Sequence, residues 1–179
     1  NYTGGIDVTV APPAGWTKIA GASCGDSGKD QQQAFFYHIA GASEPSSYTW
    51  PINGNPWPNA CNAIIADYGN VNTSNPVEAS GCLYAASGTT VTAPSIATLT
   101  ANDRLLWIGT GFEDSYDASG RTTPSGFTQR AVGQSGGNLG SNFADRIFTP
   151  PGVTGAASAS ISSGNPHIGS FLALVPAPQ

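Results

Sequence analysis

Ala34-Phe35-Phe36-Tyr37-His38-Ile39-Ala40, running straight into Gly41-Ala42-Ser43-Glu44-Pro45, decides how this chain is read. Phe35, Tyr37 and Ile39 fall on one side of a period-two pattern and Phe36, His38 and Ala40 on the other, which is the alternation of a β-strand. The Gly- and Pro-containing segment after it reads as a turn. Outward from there the same pattern recurs. Candidate strands lie at 6–10, 17–20, 47–50, 62–68, 95–100, 105–110, 128–132, 143–148, 156–161 and 168–175. Between them fall turn signals such as Asn53-Gly54-Asn55-Pro56 and Thr149-Pro150-Pro151-Gly152. About ten short strands with no 3.6-residue period predict an all-β, antiparallel sandwich or barrel, read as one domain over 1–179.

Composition points the same way. Charged residues make up 9% of the 179, against about 25% in an ordinary soluble domain, so the solvent faces that helices usually build from Glu, Lys and Arg have little material. Gly 23 and Pro 14 would fit disorder, but the regularly placed aromatic and aliphatic residues give the chain clusters to bury. The net charge of −5, with six unclustered basic residues, excludes a phosphate-neutralising stripe and hence nucleic acid as a partner. No apolar run approaches the ~20 residues of a membrane span.

One tight turn occurs twice. Pro13-Ala14-Gly15-Trp16-Thr17-Lys18 is echoed by Pro124-Ser125-Gly126-Phe127-Thr128-Gln129-Arg130, each with a Gly free to take positive φ and an aromatic entering a strand. The second copy comes after the strongly apolar Leu105-Leu106-Trp107-Ile108; the first comes after only the short 6–10 segment. The expectation is a first edge strand that is missing, or borrowed from a neighbouring domain or subunit. Trp16 and Trp107 are expected in the core.

Catalytic patterns fail on context. Gly25-Asp26-Ser27-Gly28 matches the nucleophile tetrapeptide of chymotrypsin-like proteases, but both histidines, His38 and His167, come after the serine rather than before it. Two G-x-S-x-G matches, at Ser23 and Ser135, lack the succeeding helix that a nucleophile elbow needs. Glu44, Glu78, Glu113, Asp114 and Asp117 could in principle supply a glycosidase pair, but turn-capping or solvated carboxylates are the simpler reading. The expectation is a protein that is not an enzyme and carries no cofactor. The densest acidic run, Glu113-Asp114-Ser115-Tyr116-Asp117, offers Glu113, Asp114 and Asp117 as oxygen ligands for Ca²⁺, although it lacks an EF-hand pattern.

The segment Tyr48-Thr49-Trp50-Pro51-Ile52-Asn53-Gly54-Asn55-Pro56-Trp57-Pro58-Asn59 suits sugar. Flat aromatic faces stack on apolar sugar faces while amides bond hydroxyls, which nominates Trp50, Asn53, Asn55, Trp57 and Asn59, with Tyr84 and Tyr116 behind them. The competing reading puts Trp50 at a strand end, packed inward. Of three cysteines, Cys61 and Cys82 are the preferred disulfide with Cys24 free; three unpaired thiols are the alternative. Asn1-Tyr2-Thr3 and Asn72-Thr73-Ser74 match the glycosylation sequon.

Pro12-Pro13-Ala14-Gly15-Trp16-Thr17, then 40–50 with its Glu44-Pro45 turn, Ala63-Ile64-Ile65-Ala66-Asp67-Tyr68-Gly69-Asn70-Val71 with Asn75-Pro76-Val77, and Asn102-Asp103-Arg104-Leu105-Leu106 form an ordered series. It continues through 124–130, Ala144-Asp145-Arg146, Gly155-Ala156-Ala157-Ser158-Ala159 and Leu172-Ala173-Leu174-Val175-Pro176-Ala177. This series resembles a β-sandwich module found in tail, fibre and other virion proteins of tailed phages and prophages, and in bacterial surface proteins. The resemblance covers about 12–177. It implies a jelly-roll-like sandwich, a virion or extracellular location, and a non-enzymatic structural or adhesion role in a fibre, tail appendage or capsid decoration. It transfers no functional residue. The absent first strand and the added cysteines depart from it. A carbohydrate-binding module and a self-assembling filament or shell subunit are the alternatives. The partners expected are other virion or surface subunits, cell-surface glycans, or further copies of the chain, with no insertion into a membrane.

Overall fold

The computed structural model describes residues 7–25, 31–55, 61–112, 120–135, 139–162 and 165–178; the side chains of 7–9, 53–55 and 112 lie outside the description. Eleven strands succeed one another in the described chain: β1 (Asp7–Val10), β2 (Thr17–Lys18), β3 (Phe36–Tyr37), β4 (Ile52–Asn55), β5 (Val77–Ala85), β6 (Thr90–Ala93), β7 (Asp103–Phe112), β8 (Thr128–Ser135), β9 (Leu139–Phe148), β10 (Ala157–Ser160) and β11 (His167–Leu174). The fold is all-β and antiparallel, as the alternation predicts. No described helix is long and apolar enough to cross a membrane.

The frame is a five-stranded sheet in the order β5-β11-β7-β9-β8. Its central strand carries the sequence Leu105-Leu106-Trp107-Ile108, and successive side chains leave opposite faces of a strand. Leu105 and Trp107 therefore join Phe171, Ala173 and Ala144 on one face, covered by the β6–β10 ribbon through Val91, Ala93 and Ala159. Leu106 and Ile108 join Leu172 and Phe143 on the other. A less regular layer covers this second face: Ile19, a short 3-10 turn at Ala20–Ala22, Phe35 and Tyr37 around the β2–β3 pair, and Ile64 and Tyr68. The result is a sandwich whose outer layers are ribbons and loops laid on one continuous sheet.

Three strands escape the sequence reading, β4, β5 and β6, and three expected strands, 47–50, 62–68 and 95–100, are irregular chain; Asn53-Gly54-Asn55, expected in a turn, pairs within β4. The short segment ahead of Pro12 is itself a strand. Asp7–Val10 forms β1 and pairs along its length with β4. The duplicated turn is borne out in both copies. Gly15 has φ +85° and Gly126 φ +79°, and each turn closes with a backbone bond, Trp16 N–H to Pro13 C=O at 3.2 Å and Phe127 N–H to Pro124 C=O at 3.1 Å.

The disulfide is a correction. Cys24, not Cys61, bonds Cys82, and Cys61 is an exposed free thiol. The reason is lateral position on the sheet. The 3-10 turn lies against β5, where a Cβ on Gly21 would meet the Ser80 hydroxyl at 2.4 Å, and this brings the Cα atoms of Cys24 and Cys82 to 5.9 Å, within bridging range. Cys61 precedes Asn62, whose side-chain oxygen accepts from the Ser141 hydroxyl of β9 at 2.8 Å. β9 stands three strand positions from β5, roughly 14 Å at ~4.8 Å per strand, too far for a bridge. A disulfide joining two layers belongs to an oxidising, non-cytoplasmic setting.

Candidate functional site

The first Pro-Ala-Gly-Trp turn and the Tyr48–Trp50 segment converge on one aromatic cluster. The Trp16 ring lies 5.0 Å from Trp50 and 5.1 Å from Tyr48, both edge-on, and stacks on His38 at 5.5 Å; Phe36 packs against Trp50 at 4.9 Å. All five side chains are half-buried. Trp16, expected in the core, is therefore a surface-cluster residue, unlike Trp107, which is fully buried with its indole N–H donated to Ala157 C=O at 3.2 Å. The two tryptophans differ because β2 is two residues long and lies on the outer layer, whereas Trp107 sits mid-strand beneath the β6–β10 ribbon.

Glu44 pins the cluster from below. Its carboxylate accepts from the Gly41 N–H and the Tyr48 hydroxyl, and lies 3.3 Å from His38 Nε2 through both oxygens. The other ring nitrogen of His38, Nδ1, sits 2.9 Å from Gly15 C=O. The acceptors raise His38 above its ordinary value, the Gly15 carbonyl most and Glu44 next. The Tyr48 hydroxyl, then the Gly41 N–H and His38, lower Glu44. The turn-capping reading of Glu44 is thus correct. Both His38 nitrogens and both Glu44 oxygens are engaged within the loop.

Of the residues nominated for sugar binding, Trp50 is in this cluster. Asn53 and Asn55 lie in β4, opposite Thr9 and Asp7, with side chains outside the description. Trp57 and Asn59 lie outside the described residues, as do Glu113, Asp114 and Asp117 of the acidic run and the weaker candidate Tyr116. Tyr84, on β5 opposite Ile168, is half-buried and apart from the cluster residues in the strand pairing. Among the described residues no three His, Cys, Asp or Glu side chains gather in a way that could hold a metal ion.

Sequence reasoning missed two polar networks, and both begin at a β-bulge, where an extra residue re-aims a side chain. In β8 the register slips between Gln129 and Ala131, and Arg130, the residue at the slip, reaches Asp145 of β9 through Nε and Nη2 at 3.0 and 2.9 Å. Asp145 is 1% exposed; it also accepts from the Tyr68 hydroxyl at 2.6 Å and lies 3.5 Å from Arg104. Burial opposes its charge, but Arg130, Tyr68 and Arg104 outweigh that and hold it below the usual carboxylate range. In β5 the slip between the Ala173↔Ala79 and Leu174↔Val77 pairs frees Glu78, which accepts from the backbone N–H groups of Leu99 and Thr100 and the Thr100 hydroxyl. Beside it Asp103 is completely buried. Burial, then the hydrogen bond to Glu78 and its charge, push Asp103 up to about 7. The charge of the neighbouring Glu78 carboxylate adds to burial in favouring the protonated form of Asp103.

No family model matches the chain, and no curated protein and no solved structure shows significant similarity to it.

Proposed function

We propose that this protein is a non-enzymatic extracellular surface module of the adhesion type, carried on a virion appendage or a cell surface. Its aromatic cluster of Trp16, Tyr48 and Trp50 docks the apolar face of sugars. The observation that carries this reading is a half-exposed set of rings fixed by a hydrogen-bonded turn rather than sunk in the core. A burial-driven cluster would hide its rings; a recognition surface needs them rigid and reachable. The disulfide supports an extracellular setting. A self-assembling subunit is less well supported, because the bulge and charge at Arg130 blunt the β8 edge against strand pairing.

The test is a glycan-array screen of the purified chain with light scattering alongside. A monomer with specific glycan hits, whose Trp50→Ala variant loses at least about tenfold in affinity while keeping its circular dichroism, is the expected result. Absence of any glycan hit from the folded protein would overturn the sugar-docking reading.

A further inference from the structure

Tyr68, Arg104, Arg130 and Asp145 do more than neutralise one another. Together with Ala66, Asp67 and Phe143 they line an open pocket of about 270 Å³, just below the ~300 Å³ at which drug-sized pockets begin. Two guanidinium groups, Arg104 and Arg130, face the buried Asp145 carboxylate, and the exposed Asp67 carboxylate offsets the second positive charge at the pocket mouth. Arg130 spends Nε and Nη2 on a single oxygen of Asp145, and Tyr68 takes the other oxygen. Arg104 makes no side-chain hydrogen bond to a described residue; it meets Asp145 as an ion pair at 3.5 Å and the Tyr68 ring at 5.9 Å. Its planar fork of donors is about one-third exposed and is the natural seat for a second carboxylate.

We infer that this pocket binds a small hydroxylated carboxylate of monosaccharide size, a sugar acid such as a hexuronate, with its carboxylate on Arg104. The rest of the lining fits that class. Phe143 and Ala66 offer an apolar wall for a ring face, and the exposed carboxylate of Asp67 can accept from a ligand hydroxyl. Asp67 also disfavours a compact anion: phosphate or sulfate would meet its charge without the array of hydroxyls a sugar acid donates. The site is separate from the Trp16–Trp50 cluster, so it stands or falls independently of the sugar-docking reading.

Titration calorimetry of the full chain with sodium glucuronate, glucose and inorganic phosphate tests the inference, comparing Trp50→Ala with Trp50→Ala/Arg104→Gln so that sugar docking at the aromatic cluster does not enter the comparison. Arg104→Gln leaves Asp145 bonded to Arg130 and Tyr68, so the fold is kept, and a thermal melt checks this. Saturable glucuronate binding at about millimolar Kd in Trp50→Ala, weakened at least about tenfold when Arg104→Gln is added, is the expected result. Glucuronate-induced shifts of the Arg104 and Tyr68 signals in an NMR titration support the same placement. No glucuronate binding, binding that Arg104→Gln leaves intact, or phosphate or glucose bound as tightly as glucuronate, would each overturn it.

Discussion

The same turn occurs at Pro13–Trp16 and at Pro124–Phe127, with the same glycine conformation and the same closing bond, yet the two aromatics have different fates. Phe127, half-buried, packs against the main core, stacked on Phe171 at 5.9 Å and capped by the Arg146 guanidinium 4.8 Å above its ring. Trp16 meets His38, Tyr48 and Trp50 at the surface. The strand that each turn feeds makes the difference. Phe127 leads into the eight-residue β8, pinned to β9, whereas Trp16 leads into a two-residue strand on the outer layer. A local motif sets the exit of a side chain; the strand behind it decides whether that exit leads into the core.

The comparison breaks most readily at the link that holds the first copy's layer to the sheet. Replacing Cys24 with Ser opens a loop of 58 residues and should cost about 4 kcal/mol by the chain-entropy estimate, read as a fall in the urea midpoint against the oxidised protein. Next comes Phe127→Ala, which should cost about 2–3 kcal/mol because its ring packs on the core face of the main sheet, while Trp16→Ala costs about 1 kcal/mol because its ring meets only the side chains of the outer layer. Equal losses in denaturant melts would erase the distinction between core and surface copy. The sheet around the second copy should also respond to pH. Asp103 binds its proton in the folded state up to about pH 7 but only to about 4 unfolded, so stability falls as pH rises through that interval. Asp103→Asn, which keeps a donor for Glu78, should flatten that slope in melts between pH 4.5 and 8.

Smaller effects sharpen the contrast between the turns. Gly126→Ala meets only ordinary contact with Arg146, so its cost is the positive φ alone, about 1 kcal/mol. Gly15→Ala adds a Cβ 3.2 Å from the His38 ring and should disturb the aromatic cluster as well, seen as altered near-ultraviolet dichroism. Around the first copy the pH response has two flanks. His38 is raised, so its contribution is full below its unfolded value of 6.5 and fades as pH climbs through its folded one. Glu44 is lowered, so its contribution is full above 4.5 and fades as pH drops through its folded value. The loop is therefore firmest between about 4.5 and 6.5, which hydrogen exchange at Gly41 can track.

The all-β class and the long central strand are legible because Leu105–Ile108 is apolar on both sides, as a strand covered on both faces must be. The 34–40 stretch alternates as cleanly, but only Phe36–Tyr37 pair, because their partner β2 is two residues long. Strand β5 is illegible for the opposite reason. Val77-Glu78-Ala79-Ser80-Gly81-Cys82-Leu83-Tyr84-Ala85 is rich in small and polar residues, since Gly81 must leave room for Ile96 and Pro94, and a bulge interrupts its period. The candidate site divides likewise. Trp50 stands out from its composition, whereas Trp16 joins it only through a contact 34 residues away in the chain. The Arg104–Asp145–Arg130 set spans three strands, and Arg130 is aimed by a bulge that no spacing rule reveals.

The Cys24–Cys82 bond also determines where tension runs. A pull along the backbone reaching Cys24 crosses the sulfur bridge directly to β5 and enters the sheet there. The chain between them, about 200 Å of contour at ~3.4 Å per residue, is taken off the load path. Phe36, His38, Glu44, Tyr48 and Trp50 all lie on that slack segment. Trp16 precedes Cys24 and stays on the load path, so a surface module held by its backbone would keep the Tyr48–Trp50 side of its grip unstretched, with the strain carried by two sulfur atoms and the sheet behind them.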